Sequence, residues 1–248
     1  MSTRALEGRG FLHSLRLDRE KVASFDAYPF SIPAVRHLTE LELDPKVTFL
    51  VGDNGAGKST LIEAIAVGAG FNAEGGTKNF NFATRKSESS LHEVLRISRS
   101  HRRPKDGFFL RAESFFNVAT EVERLGVTGY GEVSLHEQSH GESFLALVMN
   151  RFRGNGVYIL DEPEAALSPQ RQLTLLARMH DLVEHHDSQF VIATHSPILM
   201  AYPQALIYSL SPTGIRQVDY EDTEHFQITR DFLSNPGSFF KHLFSTDR

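Results

Sequence analysis

The segment Gly52-Asp53-Asn54-Gly55-Ala56-Gly57-Lys58-Ser59 restricts the fold more than any other part of the chain. It matches the pattern G-x-x-x-x-G-K-[ST] at every position. The glycines admit backbone angles that a side chain forbids. Successive backbone N–H groups can then turn inward and form an anion cradle at a helix N-terminus. Such a cradle requires a strand before it and a helix after it. Val47-Thr48-Phe49-Leu50-Val51 is an apolar, β-branched run that reads as a central parallel strand. Residues 60–67 have helical spacing.

The cradle comprises Asp53, Asn54, Gly55, Ala56 and Gly57. Lys58 is expected to reach the β- and γ-phosphates of a nucleotide. Ser59 offers a hydroxyl to Mg²⁺, and Thr60 faces the α-phosphate side. A glycine-rich turn without a ligand is the plain alternative, and the strand–loop–helix order argues against it.

The rest of the chain reads as α/β. Residues 11–17 alternate with period two, and 41–43 follow as a second short strand before the turn Asp44-Pro45. Residues 91–97 read as helical, 108–111 as a strand and 114–125 as a helix, with loops at 75–79 and at Gly126, Gly129 and Gly131. From residue 139 the order is helix (142–152), strand (157–160), helix (169–185), strand (190–193). This alternation predicts a mostly parallel sheet flanked by helices, with an antiparallel portion. A hairpin (205–210 with 214–218) and two aromatic-rich helices (226–233 and 239–244) complete the reading. The expected organisation is a single domain over 1–248. Its core lobe spans about 1–70 and 150–248, and a smaller helical lobe spans about 71–149.

Two strand ends carry chemistry. Val157-Tyr158-Ile159-Leu160-Asp161-Glu162 is an apolar strand closed by two carboxylates. In isolation such a pair is a solvated turn. Beside a phosphate loop, ligands collect beyond the carboxyl ends of parallel strands. Asp161 is then placed to hold Mg²⁺ opposite Ser59, and Glu162 to polarise an attacking water. Val191-Ile192-Ala193-Thr194-His195 ends a second strand in a histidine that could touch the γ-phosphate or position the water.

In this order the motifs resemble those of the ABC ATPase superfamily, more closely its non-transporter branch of SMC- and RecF-like ATPases and small single-domain bacterial ATPases. The resemblance spans roughly residues 11–210. It identifies 52–59 with Walker A, 157–162 with Walker B plus the catalytic glutamate, and 164–169 with the D-loop. His195 takes the place of the switch histidine. Gln138-Ser139-His140-Gly141-Glu142 occupies the place of the LSGGQ signature. The resemblance implies ATP and Mg²⁺ as cofactors, with Lys58, Glu162 and His195 catalytic and Ser59 and Asp161 at the metal. It also implies a head-to-tail dimer in which Ser139, Gly141 and Glu142 complete the partner's ATP pocket. An ordinary helix N-cap also explains Ser139. Gln138, His140 and Ser168 depart from the family's leucine, glycine and aspartate. Glu113 follows the strand at 108–111 where a Q-loop residue, near the metal, would sit. Tyr28 stands 30 residues before Lys58, where the family often stacks an aromatic on adenine; core packing explains it equally well.

Composition narrows the client. The net charge is −5, so nothing points to a general polyanion binder. Arg96, Arg99, Arg102, Arg103 and Lys105 nevertheless gather in ten residues. They could neutralise nucleic-acid phosphates, form a solvated face, or contact the nucleotide. The absence of cysteine excludes disulfides and thiolate metal sites and fits a reducing cytoplasm. No apolar run is long enough to span a membrane, and the N-terminus lacks the apolar core of a signal peptide. The protein is expected in the cytoplasm. After the signature position comes Glu142-Ser143-Phe144-Leu145-Ala146-Leu147, not the Q-R-x-x-x-A-R-A run of transporter subunits. No sustained heptads separate Lys58 from Ser139, which excludes a coiled-coil arm. A soluble ATPase in DNA repair or defence is the favoured expectation. A transporter's nucleotide-binding subunit and an ATP-dependent dimerising switch for a protein partner are the alternatives.

Overall fold

Every residue of Val47–Val51 is buried, which a strand achieves only when both faces of its sheet are covered. The computed structural model describes residues 10–77, 89–113, 115 and 139–244. Nine strands lie among them: β1 (Leu12–Leu17), β2 (Glu40–Glu42), β3 (Val47–Val51), β4 (Leu95–Arg99), β5 (Asp106–Arg111), β6 (Gly156–Asp161), β7 (Gln189–Ala193), β8 (Leu206–Ser211) and β9 (Gly214–Val218). The larger sheet has the order β5-β6-β7-β3-β8-β9. It is parallel from β5 to β8, and β9 pairs antiparallel with β8 as a hairpin. The smaller sheet, β2-β1-β4, is antiparallel. The expected α/β architecture, mostly parallel with an antiparallel portion, is the one observed.

Among the described residues the α-helices are α1 (Pro33–Arg36), α2 (Lys58–Ala69), α3 (Leu91–Val94), α4 (His140–Arg151), α5 (Pro169–His185), α6 (Pro197–Met200), α7 (Glu224–Ser234) and α8 (Pro236–Leu243). Strand side chains alternate between faces, so the central sheet feeds two cores. Phe49, Tyr158, Leu160, Phe190 and Ile192 pack with Phe144 and Leu147 of α4 and Leu175 and Met179 of α5. Leu50, Ile159 and Val191 pack with Leu61, Ile62 and Ile65 of α2 and with Leu15, Leu17 and Leu41 of the smaller sheet. The helix that follows the phosphate loop is therefore sandwiched between two sheets. That is why α2 is apolar around most of its circumference rather than along one stripe.

Gln189 fastens the layers. Its Oε1 accepts from the N–H groups of Phe11 and Leu12 at 2.9 and 2.8 Å. Its Nε2 donates to the carbonyls of Leu12 and Asp44 at 2.7 and 2.9 Å. A fully buried amide with all these bonds made is stabilising rather than costly.

Two expectations require correction. Residues 91–97 are not one helix: α3 ends at Val94 and β4 begins at Leu95. Leu95 and Ile97 alternate with Arg96 and Ser98, and pairing with β1 turns that period-two pattern into a strand. The helical lobe at about 71–149 is also too broad, because β4 and β5 fall within it and β5 is an edge of the central sheet. The helix expected at 114–125 and the loop at Gly126, Gly129 and Gly131 lie outside the described residues, apart from buried Phe115. Residues 78–79 of the expected loop at 75–79, and Gln138, lie outside them too.

Candidate functional site

Between β3 and α2 the loop turns on three glycines with positive φ, Gly52 at 145°, Gly55 at 79° and Gly57 at 97°. Two of them are fixed by space as well as by angle. A Cβ on Gly52 would stand 2.3 Å from the Leu210 carbonyl oxygen, and one on Gly57 would stand 2.6 Å from Ile32 Cγ2. Lys58 opens α2 and folds back over the loop. Its Nζ donates to the carbonyls of Gly52 and Asp53 at 2.9 and 3.0 Å. Burial pulls the Lys58 ammonium below its usual pKa, while Glu162, Asp161, Glu164 and Asp53 oppose the shift.

The parallel register brings the carboxyl ends of β3, β6 and β7 to one edge. There the Ser59 hydroxyl donates to Asp161 Oδ1 at 3.2 Å, across 102 residues of chain. Asp161 is almost fully buried, and its carboxyl is pushed up to about 6, chiefly by desolvation. The Arg111 guanidinium, with Nε 3.4 Å from Asp161 Oδ2, works in the opposite direction. Arg111 also bonds Glu63 of α2 at 2.8 Å, so it ties the loop's helix to the ends of β5 and β6. Two hard oxygen donors, one of them a buried carboxyl beside a phosphate cradle, fit Mg²⁺, which keeps most of its remaining ligands as water and phosphate.

Glu162 follows in a left-handed conformation, φ 50° and ψ 52°. That is strained for a residue with a Cβ and occurs where surroundings hold it. Its N–H donates to the Ala193 carbonyl at 2.9 Å, while the Thr194 N–H donates to Leu50 at 3.1 Å. The ends of β6, β7 and β3 are thereby laced together. His195 Nε2 lies 3.3 Å from Glu162 Oε1. It is buried and too poorly aligned to hydrogen-bond there. Burial and then Lys58 hold the His195 pKa below the usual imidazole value.

Two participants, and the role of a third already placed in the D-loop position, escaped the sequence reading. Glu164 accepts from the Thr194 hydroxyl at 2.7 Å and from the His195 N–H. Its carboxyl is raised by burial, and the run Asp161-Glu162-Pro163-Glu164 was its available signal. Arg111 is one of the two new participants. His225, at the start of α7, places Nε2 3.0 Å from His195 Nδ1. No local pattern marks that contact.

The other expected residues fall in separate places. Ser139 caps α4 in a capping box with Glu142. Its hydroxyl donates to Glu142 Oε2 at 2.5 Å, and Arg171 holds Glu142 Oε1 at 2.9 Å. Gly141 presses on the D-loop position: a Cβ there would meet the Ala166 carbonyl oxygen at 2.7 Å and Arg171 Nη1 at 2.6 Å. Ser139 and Glu142 thus bond within α4's first turn and to Arg171, not to Lys58 or Ser59 of the same chain, among the described residues. Glu113 is exposed in the turn after β5, near enough to Asp161 to disfavour its charge. Tyr28 is 67% exposed, with its hydroxyl 3.4 Å from Thr60 Oγ1. That exposure removes core packing as its explanation.

Two of the basic residues lie far from this edge. Arg99 donates to the Gly68 carbonyl at the opposite end of α2, and Arg102 pairs with Asp187, which precedes β7. They help line a cavity of about 510 Å³ with Phe11, Phe71, His101 and Arg103. Direct contact of Arg99 or Arg102 with a nucleotide in the phosphate loop is excluded, since α2 spans about 18 Å. A second cavity, of about 490 Å³, borders Asp53, Asn54, Gly55 and Ala56 and reaches Arg216 and His225.

Two family models match the chain. One, described as "AAA domain", covers residues 22–140. The other, described as "AAA domain, putative AbiEii toxin, Type IV TA system", covers residues 87–201. The zinc transport system ATP-binding protein AdcC of Streptococcus pneumoniae is 24% identical over 183 residues, 66% of this chain and 78% of that protein. The thiamine import ATP-binding protein ThiQ of Cereibacter sphaeroides is 29% identical over 171 residues, 60% of this chain and 70% of that protein. Among solved structures, the SMC head domain from Thermotoga maritima matches with a TM-score of 0.49 at 17% identity, covering 84% of this chain and 99% of that one. Two overlapping AAA-domain models thus match residues 22–201 between them, consistent with the ABC-type resemblance of the motifs in that span.

Proposed function

We propose that this domain hydrolyses ATP to ADP and phosphate, and that two chains sandwich the nucleotide during turnover. One observation carries the reading. The phosphate loop, the Ser59–Asp161 contact at 3.2 Å and the Glu162–His195 contact at 3.3 Å meet at one edge of the parallel sheet. Binding comes from the loop's N–H groups (Asp53, Asn54, Gly55, Ala56 and Gly57) and from Lys58, which exchanges its carbonyl partners for phosphate oxygens. Thr60 supports the α-phosphate side, and the exposed Tyr28 ring offers a face to adenine. Ser59 and Asp161 would hold Mg²⁺, with Glu113 near it; when bound, the ion neutralises charge on the β- and γ-phosphates.

Glu162 orients the attacking water and accepts its proton. The water oxygen bonds to the γ-phosphorus as the bond to the bridging oxygen breaks, and ADP leaves. His195 presents Nε2 to the γ-phosphate. Most of the acceleration is positioning and charge stabilisation. Ser139, Gly141 and Glu142 of a second chain close the pocket at a helix N-terminus.

The favoured client lies in DNA repair or defence. Supporting this are the "AbiEii toxin, Type IV TA system" description and the cation-lined cavity at the far end of α2. A second reading, the ATP-binding subunit of a transporter, is favoured by the names of the two curated relatives. Co-purification with a permease supports that reading, and a DNA-stimulated rate supports the first. No helix among the described residues is long and apolar enough to cross a membrane. We place the protein in the cytoplasm as a single ATPase unit.

The test is Glu162→Gln. The variant is expected to bind ATP, to lose about 10²–10⁴-fold in turnover, and to accumulate as an ATP-bound dimer in size-exclusion chromatography with light scattering. Hydrolysis at the wild-type rate removes Glu162 from the chemistry. A monomer under saturating ATP removes the sandwich.

A further inference from the structure

His195 has two ring nitrogens, and what each can do depends on where its proton sits. Nε2 faces Glu162 Oε1 at 3.3 Å, and Nδ1 faces His225 Nε2 at 3.0 Å. Between two neutral imidazoles, one nitrogen must donate and the other accept. If His195 kept its proton on Nδ1, its bare Nε2 would point at the Glu162 carboxylate, lone pair against lone pair. If His225 Nε2 donates to His195 Nδ1, the His195 proton moves to Nε2 and faces Glu162 and the phosphate position. Only the second arrangement satisfies the His195–His225 hydrogen bond while turning a partly positive N–H, rather than a lone pair, toward the Glu162 carboxylate; at 3.3 Å that second contact is electrostatic rather than an aligned hydrogen bond.

The chain builds His225 into place. Thr223 is 2% exposed and caps α7, accepting from the Phe226 N–H and donating to the Tyr220 carbonyl at 2.7 Å. The Tyr220 hydroxyl donates to the Pro197 carbonyl at 3.0 Å, two residues past His195, and the Tyr220 ring packs on Phe226 at 4.5 Å. This strap joins the start of α7 to the loop that carries His195. No residue of α7 itself is buried, so the anchoring is concentrated around His225. His225 also sits in the first turn of an eleven-residue helix, where the helix dipole disfavours a positive charge.

We propose that His225 is a positioning residue for ATP hydrolysis, holding His195 in the tautomer whose Nε2–H faces Glu162 and the γ-phosphate. The inference rests on the ATPase reading for its kinetic consequence but not for its proton assignment. His195 is faced by Lys58, Glu162 and His225, and His225 by Lys58, Asp53 and Glu224. Burial and the Lys58 charge lower both imidazole pKa values, so near neutral pH the pair is neutral and the tautomer is the variable.

The experiment uses the full chain labelled with ¹⁵N-histidine, with the His195 resonances assigned by their loss in His195→Gln. In the wild type at about pH 8, Nδ1 of His195 is expected as a bare acceptor and Nε2 as protonated. In His225→Ala the two nitrogens move toward an averaged position. In turnover, His225→Ala is expected to lower kcat about tenfold, the worth of one hydrogen bond, with KM for ATP within about twofold. His225→Gln, whose amide can donate to Nδ1, restores most of the loss and guards against misfolding of the alanine variant. A proton on Nδ1 in the wild type overturns the proposal, as does a tautomer and kcat unchanged in His225→Ala. If the wild type hydrolyses no ATP, the ATPase reading fails while the resonances still decide the role of His225.

Discussion

Asp161 carries a desolvation cost, and removing its charge should stabilise the empty protein. Its carboxyl titrates at about 6 in the fold against an ordinary 3.8, with burial the leading cause. The folded protein retains a proton that the unfolded chain has already released. Stability contributed at this position is therefore lost as pH rises from the open-chain value through the folded one. The ionised group costs about 3 kcal/mol at pH 8 and about 1 kcal/mol at pH 4.5. Asp161→Asn keeps an acceptor for the Ser59 hydroxyl, and Arg111 keeps Glu63 at 2.8 Å. Urea unfolding followed by far-UV circular dichroism, without nucleotide or Mg²⁺, should find the variant more stable by about 2–3 kcal/mol at pH 8, with the gap narrowing to about 1 at pH 4.5. ATP with Mg²⁺ at a thousand times its Kd should reverse the order, because it adds about 4.1 kcal/mol to a protein that binds it, more than the gap at pH 8. A variant less stable than wild type at pH 8 in the empty state refutes the reasoning. It would mean that the Arg111 ion pair outweighs desolvation.

Two further outcomes test the binding half of the site. Lys58→Ala should abolish ATP binding in calorimetry, and retained tight binding would remove the phosphate-loop assignment. Tyr28→Ala should raise KM for ATP by about fivefold, the worth of one aromatic stack, with kcat and the unfolding midpoint unchanged because the ring is exposed; a drop in the midpoint would show a structural role instead.

The parts of this fold legible in the sequence are those where local chemistry and tertiary fate agree. β3 is a continuous apolar run, and the glycines after it can only be a turn. α5 begins at Pro169 and ends at His185, as its sequence indicates, because Ser168 is a ready N-cap and proline fits the first helical position. β4 was illegible for the opposite reason. A single turn of helix at α3 runs straight into an alternating strand, so neither period persists long enough to dominate. Glu164, Gln189 and His225 act through contacts that are 30 or more residues distant in the chain. Gln189 looks like an ordinary polar residue before an apolar run. Only the packing of β1 against β7 turns it into a four-bond clamp.

The short stretch from Glu162 to Ser168 gives the proposed sandwich a physical route between its two pockets. It starts at the strained Glu162 backbone, and two residues later Glu164 grips the N–H of His195 and the hydroxyl of Thr194. Ala166 then lies against Gly141, so closely that no Cβ fits between them. Ser168 caps α5, whose Arg171 holds Glu142 of the capping box. In the proposed sandwich, the groups that would face one chain's own γ-phosphate and the helix start that would be offered to the partner's phosphate are therefore joined by contacts with little slack. The Ser139 hydroxyl is turned toward Glu142, and a phosphate in the partner pocket must win that donor. Arg171, bonded to Glu142 and within 3.4 Å of Ser139, then has one partner fewer. Ligand binding shifts a pre-existing equilibrium only by its differential affinity for the two arrangements. Here that difference is the exchange of one charge-assisted hydrogen bond for another at the start of α4. The contacts that connect this helix start to His195 run through Ala166 and Glu164, and none of them is made by a strand of the sheet.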